Sequence, residues 1–197
     1  QLHDVALTRF RHEAETIARL EHPNIVQLFD YGALPSGAPW LVMELLRGES
    51  LRARLDRGVM SVDEVRRLVS QVTSAMVLAH EHGVVHRDLK PDNLFLVATP
   101  QGSVVKVLDF GIAKLASSKT LVTGNEMVLG TPTYMSPEQA RAENDQLTGK
   151  SDVFSLASVC HEALSGAAPF RDETAIKTIL RIVKEPAPTL SGLEPAI

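Results

Sequence analysis

Residues 84–111 constrain this chain more than any other stretch. "VVHRDLKPDNLFLV" (84–97) and "VVKVLDFG" (104–111) are two polar loops flanked by short β-rich runs, and apolar residues on either side fix the backbone between them. Asp88, Lys90 and Asn93 fall within six residues, Pro91 restricts the loop, and Asp109 follows sixteen residues after Asn93. A carboxylate such as Asp88 can accept a proton from a nucleophilic hydroxyl. Lys90 can neutralise charge on a transferring group, while Asn93 and Asp109 offer side-chain oxygens to a hard cation. So few protein ligands suit Mg²⁺, which keeps waters and phosphate oxygens around itself. A base, a cation and metal ligands together point to phosphoryl transfer.

The remaining pattern surrounds these loops with helices. Phe10, Ala14 and Ile17 recur at helical spacing, so residues 8–20 read as an amphipathic helix that His22-Pro23 stops. Two strands are predicted at Ile25–Tyr31 and Trp40–Leu45, joined by the turn-rich "GALPSGAP". "LRGES" reads as a connector into a short helix from Ser50 to about Arg57. Ser61 and Glu64 have the spacing of a capping box, and Val65, Leu68, Val69, Val72, Ala75, Met76 and Ala79 behind it define a long core helix ending near Gly83. Residues 115–150 show little periodicity. Val153–Leu164 is apolar nearly all round and is predicted to be a buried helix stopped by Gly166. A last helix covers about Glu173–Lys184, before Pro186. Helix and strands first, then mostly helices, is an α+β order with a small β-containing lobe beside a helical one.

Composition removes several alternatives. A net charge of −4 gives no basic footprint for a nucleic acid, and no stretch approaches the roughly 18 apolar residues of a membrane span. Cys160 is the only cysteine, sits in an apolar stretch and is expected to be core filler in a reducing compartment. The chain opens on Gln1 without an initiating Met, the expectation for a fragment or processed product. His80, His82 and His86 lie at a helix end, where histidines suit the negative end of the dipole better than a metal. "GKS" (149–151) is not a phosphate-binding loop, because Asn144 stands where the first glycine is required. Arg52, Arg54, Arg57, Arg66 and Arg67 read as solvated helix faces.

Three motifs in register carry a family resemblance. "HRDLKPDN" (86–93), "DFG" (109–111) and "GTPTYMSPE" (130–138) resemble the catalytic loop, metal-binding motif and activation-segment end of protein kinases. The resemblance continues through "SDVFSLASVCHEALSG" (151–166), similar to the central helix of the large kinase lobe, and covers nearly the whole chain from the αC helix onward. Lys90 two positions after Asp88 resembles the serine/threonine class, and "GTPTYMSPEQAR" resembles the bacterial eukaryotic-like, or Hanks-type, members. The implied fold is α+β and two-lobed. Residues 1–46 would form a truncated N-lobe (αC and the following strands), and 47–197 a mostly helical C-lobe truncated at its end. The implied activity moves the γ-phosphoryl group of ATP to protein Ser or Thr hydroxyls with Mg²⁺. It implies protein substrates, self-association for autophosphorylation and a cytoplasmic kinase domain, with a membrane anchor elsewhere in the protein left open.

The resemblance also implies residue roles. Asp88 would orient and deprotonate the hydroxyl, Lys90 would steady the γ-phosphate, and Asn93 and Asp109 would hold Mg²⁺. Thr131 matches the threonine that contacts the catalytic loop. Met43 would be the gatekeeper, backbone groups of Glu44 and Leu46 would bind adenine, and Phe95 would pack on its face. Ile17, Leu28, His86 and Phe110 would stack as a spine anchored from below by Asp152. Arg87 is typical of kinases ordered by phosphorylation, with Thr123 the preferred phosphosite and Thr120 second.

Some positions depart from the family pattern. Ser136 stands where Ala is more familiar, and Ala157-Ser158 where many members have another pair; both are expected to be tolerated. The arginine that usually pairs with the Glu138 equivalent is expected beyond Ile197. No GxGxxG and no V-A-I-K strand occur, and Glu13, resembling the αC glutamate, has no lysine partner. Only twelve residues precede Glu13, so the expectation is a late start of the sequence, not decay of the site. These 197 residues alone are expected to transfer phosphate close to background. The rival readings are a pseudokinase scaffold, against which the intact Asp88, Asn93 and Asp109 speak, and a small-molecule kinase, against which "GTPTYMSPE" speaks.

Overall fold

A computed structural model of the chain describes residues 2–100, 102–110 and 132–190. Helix α1 (Leu2–Ala18) begins earlier than the apolar stripe alone predicts, because no helix breaker precedes that stripe. Its Phe10, Ala14 and Ile17 are buried, as their spacing requires. Strand β1 (Leu28–Ala33) pairs antiparallel with β2 (Pro39–Met43), Tyr31 opposite Leu41. Both strands are shorter than predicted. Ile25 makes only a single parallel bridge to Val107, and the Glu44 N–H donates to the Gln27 carbonyl outside the ladder.

The segment read as a connector holds a strand. β3 (Gly48–Ser50) pairs antiparallel with β4 (Leu94–Thr99), which pairs antiparallel with β5 (Gly102–Val107). Gly48 permits this: a Cβ there would stand 2.0 Å from the Leu96 carbonyl oxygen, inside any allowed contact. Ser50 then caps α2 (Leu51–Leu55), its hydroxyl accepting from the Ala53 N–H at 3.2 Å.

Helix α3 (Val62–Glu81) has the predicted capping box. The Glu64 carboxylate accepts from the Ser61 N–H at 2.8 Å, and the Ser61 hydroxyl accepts from the Glu64 N–H at 3.3 Å. Its buried face (Val65, Leu68, Val72, Ala75, Met76 and Ala79) packs against β5 and against a later helix, α5 (Gly149–Ser165). Between them lies α4 (Pro137–Ala140), inside the stretch without periodicity. Its signal is local: Ser136 at the cap, Pro137 at the first turn and Gln139 completing a capping box.

Helix α5 (Gly149–Ser165) starts at Thr148, whose side chain accepts from the Lys150 N–H, and stops at Gly166, where φ is 83°. It is not buried all round, which corrects the sequence expectation. Val153 is 64% exposed, while the covered face carries Ser151, Asp152, Ser155, Ser158 and Glu162 beside Leu156, Val159 and Ala163. Helix α6 (Ala175–Lys184), capped by Thr174, follows.

One apolar cluster joins these elements. Ile17 and Leu20, Leu51 and Leu55, the α3 face, Leu94, Val105, Val107 and Phe110 meet Leu156, Val159 and Ala163. Each such side chain contributes roughly 1.5–3 kcal/mol on burial. The polar loop at 84–93 is thus held between α3, the β4–β5 hairpin and α5. No helix among the described residues is long and apolar enough to cross a membrane.

Candidate active site

The loop is anchored from α5. Asp152, 2% exposed in the first turn of that helix, accepts from the His86 N–H (Oδ2, 2.9 Å) and the Arg87 N–H (Oδ1, 2.9 Å), while His80 Nε2 lies 2.8 Å from Oδ2. His86 is fully buried. Its Nε2–H donates to the Leu108 carbonyl at 2.8 Å, Nδ1 accepts from the Asp88 N–H at 3.3 Å, and its ring packs on Phe110 with centroids 4.8 Å apart. Burial pushes its pKa below the ordinary histidine value, so the neutral ring is the stable form. His82 instead places Nδ1 against the Leu78 carbonyl, so the three histidines of this region serve separate partners.

The chemistry-bearing side chains converge behind that anchor. Lys90 Nζ lies 3.1 Å from Asp88 Oδ2. Asn93 Nδ2 donates to the Asp88 carbonyl at 2.8 Å and lies 3.3 Å from Asp88 Oδ2. Pro91–Asn93 form one 3₁₀ turn, and the Asn93 carbonyl accepts from the Leu108 N–H at 2.8 Å. That bond continues the β4–β5 ladder, in which Leu94 faces Val107, so Asn93 and Asp109 share one end of the hairpin. Asp109 adopts a left-handed backbone (φ 47°) and is exposed, while Phe110 beside it is buried. Left-handed backbone at a non-glycine residue is disfavoured and concentrates at functional sites. With Asn93 Nδ2 committed to the loop, its Oδ1 is the atom left for a cation. A neutral amide oxygen and one carboxylate are a donor set that fits Mg²⁺ shared with phosphate.

The other sequence-predicted positions fall around this centre. Ile17 and Phe110 lie in the common core, and Leu28 is buried at the start of β1. Met43 is 39% exposed at the end of β2. The Glu44 carboxylate accepts from the Gln27 N–H at 2.8 Å and pairs with Lys106 Nζ at 2.5 Å. Burial pushes the Glu44 pKa up, but these donors outweigh it and the net shift is downward. Because the Glu44 N–H is spent on Gln27, its carbonyl is the backbone group left for a ligand. Leu46 and Phe95 are half-buried, Phe95 standing opposite Ser50 across the β3–β4 ladder. Glu13 is half-buried on α1. Burial raises its pKa, and Arg87 on the 84–93 loop and His12 oppose the shift. Thr131, Thr123 and Thr120 lie outside the described residues.

Several contacts have no signal in the sequence. Arg52 is not a solvated residue: Nη1 lies 2.8 Å from Oε1 of Glu162, whose side chain is 5% exposed, and the Tyr134 hydroxyl donates to the same carboxylate. Arg54 and Arg57 pair with Glu64 and Glu49. The Ser151 hydroxyl donates to Glu138. Gln139 Nε2 donates to the Arg87 carbonyl at 2.6 Å. Burial pushes the Cys160 thiol up to about 11, in keeping with core filler and against a nucleophile.

Comparison with known proteins supplies the family. The protein kinase domain family matches residues 2–191, and the chain belongs to that family. Serine/threonine-protein kinase PknA of Mycobacterium tuberculosis is 41% identical over 189 residues, which are 93% of this chain and 42% of that protein. The probable serine/threonine-protein kinase PknB of Lactococcus lactis is 37% identical over 195 residues, 98% of this chain and 30% of the relative. Among solved structures, the Mycobacterium tuberculosis PknI kinase domain superposes with a TM-score of 0.68 at 27% identity, covering 85% of this chain and 59% of that one. Rad53 in complex with AMP-PNP superposes with a TM-score of 0.71 at 27% identity, covering 88% and 42%. The chain spans well under half the length of these curated relatives.

Proposed function

We propose that this chain is the catalytic core of a serine/threonine protein kinase that moves the γ-phosphoryl group of ATP to a protein Ser or Thr hydroxyl. The observation that carries the reading is the Asp88–Lys90–Asn93 cluster, tied to the Asp109 end of the β4–β5 hairpin and anchored by Asp152. Residues 1–46 and 47–197 serve as its two lobes, with Glu44 and Leu46 between them for adenine, Met43 behind and Phe95 on the ring face. Binding of AMP-PNP by the structural neighbour Rad53 supports a nucleotide in that cleft.

In this mechanism Asp88 holds the substrate hydroxyl and takes its proton as the oxygen–phosphorus bond forms and the bond to the leaving ADP oxygen breaks. Lys90 offsets the charge at Asp88 Oδ2 and on the transferring group. Asn93 and Asp109 are the residues that would hold Mg²⁺, which supplies charge neutralisation on the phosphates. By the family resemblance Thr131 would serve the Asp88 loop, and Thr123 or Thr120 would be the phosphosite whose charge Arg87 could offset. A second copy of the chain serves as one substrate, and consumption of ATP is in keeping with a cytoplasmic kinase domain.

The test is transfer of radiolabel from ATP by the full-length protein to a protein substrate, with phosphoamino-acid analysis. Label on Ser and Thr, lost on chelation of Mg²⁺ and in Asp88→Asn, is expected. No transfer, or label on Tyr alone, overturns the reading.

A further inference from the structure

The backbone N–H and C=O of Arg87 and of Asp88 are each met by a side chain, two of the four coming from distant parts of the chain. Asp152 takes the Arg87 N–H at 2.9 Å, and Gln139 Nε2 donates to the Arg87 carbonyl at 2.6 Å. His86 Nδ1 takes the Asp88 N–H at 3.3 Å, and Asn93 Nδ2 donates to the Asp88 carbonyl at 2.8 Å. Three of these four side chains belong to residues already singled out in the sequence. Gln139 is the fourth, and it comes from α4, fifty-two residues away in the chain.

Such holding is needed at this point. Arg87 has a φ of 62°, a left-handed conformation that a side chain disfavours and that persists only where surrounding bonds over-determine it. Gln139 is itself held. Its Oε1 accepts from the Ser136 N–H at 2.9 Å and lies 3.2 Å from the Ser136 hydroxyl, which leaves Nε2 directed at the Arg87 carbonyl. Ser136 is fully buried, so the amide is anchored from a fixed point. The two halves of one side chain therefore do two separable jobs: Oε1 caps α4, and Nε2 sets the peptide that carries Asp88.

We propose that Gln139 is a positioning residue for Asp88, coupling the 132–140 segment to the catalytic loop through the Arg87 carbonyl. This rests on the reading of Asp88 as the base. A base displaced by a fraction of an ångström still binds nucleotide but meets the hydroxyl in poor geometry, so the loss appears in turnover and not in ATP affinity.

Three variants of the full-length protein separate the jobs. Gln139→Glu keeps an acceptor for Ser136 and so keeps the cap, but has no N–H for Arg87. Gln139→Met removes both functions without adding charge. Ser136→Ala weakens the cap and leaves the Arg87 bond. Steady-state kinetics are measured together with amide hydrogen exchange over residues 86–90. Both Gln139 variants are expected to lose on the order of 10–100-fold in kcat with KM for ATP changed less than about twofold. Exchange at Arg87 and Asp88 should be faster in both, whereas Ser136→Ala matches the parent in kcat and in exchange there. Gln139 variants with parental kcat and parental exchange overturn the proposal, as does an equal loss of kcat in Ser136→Ala. Should Asp88→Asn retain full turnover, the kinase reading fails, while the exchange at residues 86–90 still decides whether Gln139 positions the loop.

Discussion

Replacing Asp152 with Asn removes one charge and changes one atom, and its cost can be worked from the bonds at that carboxylate. Both oxygens are used on backbone donors: Oδ2 by the buried His86 N–H and Oδ1 by the part-buried Arg87 N–H, each at 2.9 Å. Asparagine offers one carbonyl oxygen, so one backbone N–H must face an NH₂ group and lose its partner. An orphaned buried donor costs about 1–3 kcal/mol. The surviving bond falls from charge-assisted to neutral, worth about a further 1 kcal/mol. His80, 27% exposed, finds water instead and adds little. The sum is about 2–4 kcal/mol, or about 5–15 °C in Tm for a unit of this size. Urea unfolding of the parent and of Asp152→Asn reads this directly, with His80→Ala as the control for the solvent-side contact. A loss below about 1 kcal/mol in Asp152→Asn would refute the view that this carboxylate satisfies both loop donors.

Two further outcomes follow from buried charge. Arg52→Ala leaves the Glu162 carboxylate buried with the Tyr134 hydroxyl as its remaining partner among the described residues, and because Arg52 is 30% exposed the cost lies at the low end for such pairs, about 3 kcal/mol. The double variant Arg52→Ala/Glu162→Gln removes the stranded charge and should recover part of it in the same urea assay; no recovery contradicts the assignment. His86 sets a pH dependence. Its folded pKa lies below the unfolded value of about 6.5, so below that pH the unfolded chain takes up a proton that the folded chain refuses. Its stabilising contribution is complete above about pH 6.5 and declines as pH falls toward the folded value. Imidazole nitrogen NMR at about pH 6.5, the ordinary histidine value, should show His86 mostly neutral and protonated at Nε2; a mostly charged ring at that pH would be the contrary result.

The site was legible because its residues are nearly contiguous. Asp88, Lys90 and Asn93 lie on one short loop, and the neighbouring apolar runs are the strands and helix that hold it. Helix α3 was legible for the same reason: its cap and its stripe both repeat over a few residues. Contacts across long separations were not legible. Three residues of β3 pair with a strand more than forty residues on, and the enabling feature is the missing Cβ of Gly48 against a backbone oxygen. Arg52 looked solvated because Glu162 is 110 residues away. The polar face of α5 was masked by averaging around the helix, since Ser151, Ser155 and Glu162 each answer to a partner elsewhere in the chain, while Ser158 bonds back to the Phe154 carbonyl. The capping box of Gln139 has a local signature, but its contact with Arg87 left none, because that partner is a backbone carbonyl that any residue would supply.

The central claim is that Asp88 is the group that takes the hydroxyl proton. It is tested most directly by comparing radiolabel transfer from ATP by the full-length protein with transfer by Asp88→Asn, alongside nucleotide binding and Tm for both. The account predicts a loss on the order of 10²–10⁴-fold in turnover with binding and stability retained, because one amide oxygen can still meet Lys90 and Asn93 but the amide has no basicity. Turnover in Asp88→Asn within about tenfold of a transferring parent would contradict it.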